Sequence, residues 1–270
     1  MDSYELLDSG HGRKLERFGR YTLARPCAQA VWRPLLPDQT WEGADGVFSR
    51  EGGAEWRFAR PIPPSWNVEV DGMKLRMQPT DFGHVGAFFE QRPLWKKIRG
   101  LSDAAKVLNL FAYSGGSSIA AADSNASVCH LDASKGMVDW ARENAALNGI
   151  SSIRWIVDDA AKFLKREERR GSKYDGIILD PPSFGRGNKG EVFKIEKDII
   201  PLLDSCRACL SEAPRFLLLS CHTPGFTPTT LQYLLEDTLG AQGTVESGEM
   251  VLSGAQTRSV PSGIYAIWRP

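Results

Sequence analysis

Short apolar runs alternate with helical patterns over most of the chain beyond residue 100. The apolar runs predict buried strands at residues 106–111, 127–131, 153–157, 174–179 and 215–220. The segments between and after them predict helices at residues 117–122, 135–148, 160–170, 191–210 and 227–239. Continuous apolar strands that alternate with helices are typical of a doubly wound, mostly parallel sheet. Residues 244–252 and 262–268 have no helix between them and predict an antiparallel C-terminal hairpin.

The first 85 residues follow a different pattern, in which short apolar stretches are broken by turn residues. Residues 66–70 and 74–77 alternate apolar and polar positions on either side of Asp71-Gly72, which predicts a β-hairpin. We therefore predict two domains. Residues 1–85 form a small β-rich, tryptophan-rich module expected to recognise the substrate, and residues 86–270 form a Rossmann-like α/β domain.

Composition narrows the class of protein and its partners. Lys+Arg and Asp+Glu both number 33, so net charge gives no support to a nucleic-acid partner, and any basic surface must be local. The five cysteines are an odd number and no secretory segment opens the chain, which favours reduced thiols in the cytoplasm. No apolar run approaches a membrane span, so we expect no membrane partner. Cys206-x-x-Cys209 lies on a predicted helix without a second ligand pair, so we expect no metal.

Polar residues follow each of the first four predicted strands of the larger domain. The first strand leads into Gly115-Gly116, and the next three end in Asp132, Asp158-Asp159 and Asp180-Pro181-Pro182. Ligands of doubly wound sheets bind outside the carboxyl ends of the strands, so these residues should converge on one crevice. Such carboxylates suit a ligand with a ribose diol and an exocyclic amine. A nicotinamide dehydrogenase would need G-x-G-x-x-G after the first strand, and that motif and a P-loop are both absent.

These motifs together resemble a known family, the large-subunit ribosomal-RNA cytosine-5 methyltransferases and their compact relatives. The segments that carry the resemblance are residues 86–92, 109–116, 130–135, 140–144, 158–160 and 178–184. The resemblance implies a class I methyltransferase fold, S-adenosylmethionine as cofactor and RNA as methyl acceptor.

The resemblance also implies roles for individual residues. The turn from Asn109 to Gly115 should hold the methionine end of the cofactor, Asp132 should accept hydrogen bonds from the ribose hydroxyls, and Asp159 or Asp158 should meet the adenine amine. Asp180 should begin the catalytic loop. The full expected cofactor set is Phe88, Gln91, Asn109, Phe111, Ala112, Tyr113, Ser114, Gly115, Asp132, Ala133, Ser134, Asp158, Asp159, Ala160, Asp180 and Pro181.

Cys221 raises the question of mechanism, because it directly follows the fifth predicted strand. In the cytosine-5 branch of the family a cysteine at this position is the nucleophile. Carbon 5 of a pyrimidine becomes nucleophilic once a thiolate has added to carbon 6, so that chemistry requires such a group. The alternative is a structural cysteine, since free cysteines are among the most commonly buried residues. Our first prediction is therefore an RNA methyltransferase that acts on carbon 5 of a pyrimidine, with Cys221 as nucleophile and Asp180 as the second catalytic residue.

Two other functions remain open from the sequence. One is a methyltransferase acting on a nitrogen of RNA, protein or a small molecule, with Asp180 and no covalent step; here Ser183 stands before the aromatic Phe184 of the loop. The other is a cofactor-binding scaffold without catalysis. The loop 185–190 carries Arg186 and Lys189, which we expect to close on a substrate phosphate, and with the N-terminal module to form the walls of the acceptor site.

Overall fold

The computed structural model of the protein describes residues 3–186, 192–240 and 243–270. It divides the chain into two compact units. The first consists of Met1–Arg92 together with Val251–Ser262, and the second of Pro93–Met250 together with Gly263–Pro270. The sequence prediction put the boundary between residues 85 and 86 and assigned the whole C-terminal part to the larger domain. In the structure the first unit extends to Arg92 and also contains the C-terminal segment Val251–Ser262.

The first unit is built mainly of short strands. Its elements are β1 (Tyr4–Gly10), β2 (Arg13–Phe18), β3 (Tyr21–Pro26), α1 (Asp38–Glu42), β4 (Gly46–Ser49), β5 (Glu55–Phe58), β6 (Trp66–Val70), β7 (Met73–Met77) and a 3₁₀ turn (Phe89–Gln91). The first five strands form one sheet in the order β1-β2-β3-β4-β5. Strands β6 and β7 pair antiparallel across Asp71-Gly72, which confirms the predicted hairpin. A small β-rich N-terminal module is therefore present, as predicted.

A buried carboxylate ties the first strand to three other parts of this unit. Asp8 is fully buried, and its carboxylate accepts hydrogen bonds from the backbone amides of Leu35 and Leu36 at 3.0 and 2.8 Å. It also accepts from the indole Nε1 of Trp41 and the hydroxyl of Thr257, both at 3.1 Å. Thr257 belongs to the returning C-terminal segment, so a single side chain joins residues that are 249 positions apart in the chain.

The second unit contains the alternating strands and helices that the apolar pattern predicts. Its strands are β8 (Lys106–Leu110), β9 (Ser127–Asp132), β10 (Arg154–Val157), β11 (Gly176–Leu179), β12 (Phe184–Arg186), β13 (Val192–Lys194), β14 (Phe216–Cys221), β15 (Thr244–Leu252) and β16 (Val260–Arg269). Its helices are α2 (Arg92–Leu101), α3 (Gly116–Ala122), α4 (Lys135–Leu147), α5 (Ala160–Arg169), α6 (Ile195–Ala208) and α7 (Pro228–Leu239). The first residue of α2 and parts of β15 and β16 belong to the first unit.

Seven of these strands form one sheet in the order β10-β9-β8-β11-β14-β16-β15. Strands β10, β9, β8, β11 and β14 are parallel, and β16 runs antiparallel to β14. At the edge, Gly243 lies against Arg269 and Gly248 against Tyr265, so the last two strands run in opposite directions. The doubly wound sheet and its antiparallel C-terminal hairpin are thus confirmed.

The helix predicted over residues 191–210 is shorter than expected. It begins at Ile195, and Val192–Lys194 instead forms a small antiparallel sheet with Phe184–Arg186. Helices α5, α6 and α7 pack over one core, which includes Phe163, Leu203 and Leu231. This arrangement places the loop after β11 and the start of α6 at the carboxyl edge of the sheet.

The cysteines are all free and buried, at Cys27, Cys129, Cys206, Cys209 and Cys221. Burial raises the pKa of Cys206 and Cys209, and the Cys209 thiol donates to the carbonyl of Leu164 at 3.8 Å. In the described ranges no group of three or more His, Cys, Asp or Glu residues could hold a metal ion. A search of the same residues finds no helix both long and apolar enough to cross a membrane.

Candidate active site

The predicted site lies where the winding of the large sheet reverses. From β8 the chain moves outward through β9 and β10, and it then returns to β11 on the other side of β8. The carboxyl ends of β8 and β11 therefore diverge into opposite connections and leave a crevice, which is where doubly wound sheets bind ligands. The polar residues singled out in the sequence follow β8, β9, β10 and β11 at this edge.

The turn after β8 has an unusual backbone. Phe111, Tyr113 and Gly115 have φ angles of 55°, 49° and 91°. The left-handed region is unfavourable for phenylalanine and tyrosine, and such strain is found mainly at binding and catalytic sites. At Gly115 a Cβ atom would lie 3.0 Å from the Cβ of Ala141, so the close packing of this turn on α4 requires glycine.

Asp132 joins this turn to the end of β9. Its Oδ2 accepts from the backbone amide of Tyr113 at 2.9 Å, and its Oδ1 accepts from that of Ser134 at 2.8 Å. Burial raises the pKa of Asp132, and these two hydrogen bonds offset the rise only in part. A carboxylate can accept about four hydrogen bonds, so Asp132 retains capacity for a pair of ligand hydroxyls.

The two acids after β10 have local structural contacts. Asp159 caps α5 by accepting from the backbone amide of Lys162 at 2.9 Å. Asp158 accepts from the amide of Asp159 at 2.9 Å and forms an ion pair with Arg166. Both carboxylates therefore stabilise the start of α5, which Ala160 opens as a buried residue. Their contact with an adenine amine stays a prediction.

Asn109 and Ser114 take part in interior hydrogen bonds. The Asn109 side chain donates to the hydroxyl of Ser118 at 2.9 Å, and that hydroxyl lies 2.9 Å from Nδ1 of His130. Burial, and secondarily the charge of Arg142, lowers the pKa of His130 to about 3, so this histidine is neutral. The carbonyl of Ser114 accepts from the Asn144 side chain at 2.9 Å. These interior hydrogen bonds stabilise the turn that follows β8.

Phe88 and Gln91 lie in the first unit. Phe88 precedes the 3₁₀ turn and its ring makes an edge contact with that of His84, with centroids 5.2 Å apart. Gln91 ends that turn and is buried. Their predicted role in cofactor binding stays a prediction.

The loop after β11 connects to the end of β14. Asp180 lies with its Oδ1 3.8 Å from Nε2 of His222. Ser183 lies with its Oγ 2.7 Å from the hydroxyl of Thr223. Pro181 is buried between them, and Phe184 is 50% exposed. The loop therefore presents one carboxylate and one exposed aromatic ring.

Cys221 is turned into the core. It is completely buried and belongs to the apolar cluster under α6 and α7. Burial raises the pKa of its thiol; the hydrogen bonds of Thr223 lower it, and the nearby charge of Asp180 raises it again. A nucleophilic cysteine needs an accessible position and a lowered pKa. Cys221 is inaccessible and the pKa of its thiol is raised. The structure therefore argues against Cys221 as the predicted nucleophile.

A cavity of about 350 Å³ opens beside Asp159, between α5, β13 and the start of α6. Lys162 and Lys165 line one side, and Phe193 contributes to the other. The Phe193 ring also packs on that of Phe111, with centroids 5.7 Å apart. The charged side chains that line the cavity are balanced, since Asp159 and Asp198 accompany the two lysines. Of the predicted phosphate contacts, Lys189 and the side chain of Arg186 fall outside the described residues.

Sequence reasoning did not select His222 or Thr223 for the site. Both follow the strand that carries Cys221, and their side chains reach Asp180 and Ser183. The signal was their position at the carboxyl end of the fifth predicted strand, the edge of the sheet at which the other site residues lie.

A family model described as S-adenosylmethionine-dependent methyltransferase matches residues 45–247. The chain is also similar to the SAM-dependent methyltransferase of Agrobacterium tumefaciens, with a TM-score of 0.96 at 39% identity over 100% of this chain and 91% of that chain. The structure of SMU.776 complexed with S-adenosylhomocysteine has a TM-score of 0.78 at 22% identity, over 99% of this chain and 75% of that chain, and shows the same fold.

Among curated proteins, the chain is similar to the ribosomal RNA large subunit methyltransferase K/L of Alteromonas mediterranea. The two are 34% identical over 166 residues, which are 60% of this chain and 23% of that protein. The corresponding protein of Ectopseudomonas mendocina is 35% identical over 53% of this chain and 20% of its own length. The chain thus spans less than a quarter of the length of these relatives.

Proposed function

The chain belongs to the S-adenosylmethionine-dependent methyltransferases, and from that premise we propose that it methylates a nitrogen atom of an RNA base by direct transfer. The enzyme class and the cofactor follow from the family. The acceptor and the methylated atom are the proposal. The observation that carries the choice of nitrogen is the burial of Cys221.

The residues at the strand ends fit the cofactor. The turn from Phe111 to Gly115 has three residues with positive φ angles at the carboxyl end of β8, where doubly wound sheets bind their ligands. Asp132 is fixed by two backbone amides and retains acceptor capacity for the ribose hydroxyls. When bound, S-adenosylmethionine supplies an electrophilic methyl group, and the chain needs to orient an acceptor towards it.

Replacing Asp132 by alanine should weaken cofactor binding by about 1.5–3 kcal/mol, because the ribose hydroxyls lose a charge-assisted acceptor. That corresponds to a roughly 10- to 150-fold rise in the dissociation constant of S-adenosylhomocysteine, which calorimetry measures. Asp139→Ala removes an exposed carboxylate from α4 and is the matched control, expected to bind normally. Equal affinity in Asp132→Ala and the control contradicts the assignment.

Two observations support RNA as the acceptor. The curated relatives are named as ribosomal RNA methyltransferases. The exposed ring of Phe184 follows the catalytic loop directly, and exposed aromatic rings stack on unpaired RNA bases.

A nitrogen acceptor agrees with the surroundings of Cys221. Methylation of carbon 5 requires thiolate addition to the ring, whereas a nitrogen lone pair attacks a methyl group without covalent help. Burial keeps the Cys221 thiol protonated and out of reach of a base. In the nitrogen reaction Asp180 accepts a hydrogen bond from the base edge and holds the nitrogen in line with the methyl group, while Phe184 stacks on the ring.

The proposal is tested by nucleoside mass spectrometry of ribosomal and transfer RNA from cells with and without the gene. Loss of one nitrogen-methylated nucleoside, restored by the purified enzyme, supports it. Loss of 5-methylcytidine instead supports the cytosine-5 reaction. Unchanged nucleosides in both RNAs contradict an RNA acceptor.

Cys221→Ala should retain full methyl transfer, because the proposed reaction has no covalent step. We expect at most about 1 kcal/mol of lost stability from the small cavity, and no trapped adduct between wild-type enzyme and 5-fluorocytosine-substituted RNA. Cys129→Ala removes another buried thiol and serves as the control for packing. An adduct that forms with wild type and not with Cys221→Ala would restore the nucleophile.

A further inference from the structure

The residue between the loop after β11 and the short strand β12 is held from two sides. Ser183 has its Oγ 2.7 Å from the hydroxyl of Thr223, just past the end of β14. Its carbonyl accepts from the backbone amide of Ile195, the first residue of α6, at 3.2 Å. Thr223 is itself buried, and its amide donates to Sγ of Cys221 at 3.4 Å. Ser183 is thus connected both to the large sheet and to α6.

The small sheet that begins with Phe184 has two different faces. In its register Gly185 lies opposite Phe193, and Phe184 belongs to the neighbouring pair. Neighbouring pairs point to opposite faces, so the rings of Phe184 and Phe193 are on different sides of this sheet. The Phe193 ring packs on that of Phe111 and against the core, whereas Phe184 is 50% exposed. One face is therefore held by the interior, and the other presents an aromatic ring.

This sheet is too small to fix the position of the Phe184 ring by its own pairing. Each strand has three residues, and an isolated two-stranded sheet is marginally stable at best in water. Its position therefore depends on contacts with the rest of the unit, including those from Thr223, Ile195 and Phe111. Among these three, the hydrogen bond of Thr223 is the side-chain contact made by the residue directly before Phe184.

We propose that the hydrogen bond between Ser183 and Thr223 positions the Phe184 ring for stacking on the acceptor base. Ser183 and Thr223 are then positioning residues that act through Phe184 and do not contact the RNA. This inference rests on the proposed function, which assigns the stacking to Phe184, and adds the residues that determine where the base lies. In direct transfer the placement of the acceptor is a large part of catalysis, and a displacement of about 1 Å costs up to about a hundredfold in rate.

The test measures kcat/KM for methyl transfer from labelled S-adenosylmethionine to ribosomal and transfer RNA isolated from cells that lack the gene. Thr223→Val keeps a branched side chain and removes the hydroxyl. It should lower kcat/KM about tenfold, as expected for the loss of one hydrogen bond. Thr223→Ser retains the hydroxyl and should stay close to wild type. Ser183→Ala should lose as much as Thr223→Val, and the two changes combined should lose no more than either alone.

The decisive measurement repeats Thr223→Val in the Phe184→Ala background. Phe184→Ala alone should lower kcat/KM by roughly ten- to a hundredfold, because a stacking contact with a base is lost. If the hydrogen bond acts through the ring, Thr223→Val should then lower kcat/KM further by less than about twofold. S-adenosylhomocysteine should bind all these variants as it binds wild type.

Thr238→Val is the matched control, because Thr238 is a buried threonine near the end of α7 whose hydroxyl donates to the carbonyl of Leu234 at 2.7 Å. It should keep the wild-type kcat/KM.

Wild-type kcat/KM in Thr223→Val contradicts the positioning role. An equal loss with and without the Phe184 ring also contradicts it, since the hydrogen bond would then act on the loop as a whole. A loss in Ser183→Ala without one in Thr223→Val indicates that the Ser183 hydroxyl contacts the RNA itself, which again overturns the role. Unchanged kcat/KM in Phe184→Ala contradicts the stacking on which the inference rests. Wild-type enzyme that binds cofactor and methylates none of these RNAs contradicts the proposed function, and this inference with it.

Discussion

Replacing Asp8 by alanine should lower the free energy of unfolding of the first unit by about 3–5 kcal/mol. The substitution leaves the amides of Leu35 and Leu36 and the indole of Trp41 without their acceptor, and a buried unsatisfied donor costs about 1–3 kcal/mol. Urea unfolding followed by tryptophan fluorescence measures the loss. Glu5 lies on the same strand as Asp8 and forms a surface ion pair with Arg17 of β2. The control Glu5→Ala should therefore cost less than about 1 kcal/mol.

The same carboxylate makes stability depend on pH. Burial opposes ionisation of Asp8, but the hydrogen bonds it accepts outweigh burial, and its pKa is lowered. A lowered pKa stabilises the folded state fully above the unfolded value of about 3.9 and progressively less as pH falls through the folded value. The difference in stability between wild type and Asp8→Asn should therefore shrink below about pH 4. A difference that grows with acidification contradicts this sign.

Asp180→Ala should reduce kcat for methyl transfer to RNA by on the order of a thousandfold. The acceptor nitrogen loses the carboxylate that we propose orients it. Cofactor affinity should change far less than kcat, because the ribose contacts that we propose for Asp132 remain. Steady-state rates with RNA from cells lacking the gene, together with calorimetry of S-adenosylhomocysteine, separate the two effects.

Asp204→Ala is the control for that experiment, since Asp204 is an exposed carboxylate on α6. It should keep the wild-type kcat. If Asp180→Ala also keeps it, the acceptor does not contact the loop after β11. If cofactor binding is lost along with kcat, Asp180 acts mainly on the cofactor.

Strands β11 and β14 of the large sheet could be predicted from the sequence because they are buried on both faces. Residues 216–221 and 176–179 are continuous apolar or small residues, and only a doubly covered sheet selects such runs. The short strand Val192–Lys194 was missed, since three residues are too few to separate a strand from the start of a helix.

The site was harder to predict for two physical reasons. An aspartate after a strand suits a ligand and a helix cap equally well, and Asp159 does cap α5. Cys221 ends a strand whose residues are all buried, whereas His222 directly after it is partly exposed. An error of one residue in the predicted end of that strand therefore changes whether a side chain is expected in the core or in the site.

The return of Val251–Ser262 to the first unit has a consequence for synthesis on the ribosome. Thr257, a partner of Asp8, is translated 249 residues after it. Ser9 likewise donates to the carbonyl of Arg258 at 3.3 Å. On the nascent chain, strand β1 therefore lacks these contacts until the intervening residues, which include Pro93–Met250 of the second unit, have been synthesised. A nascent chain that stops before residue 257 leaves Asp8 without this partner.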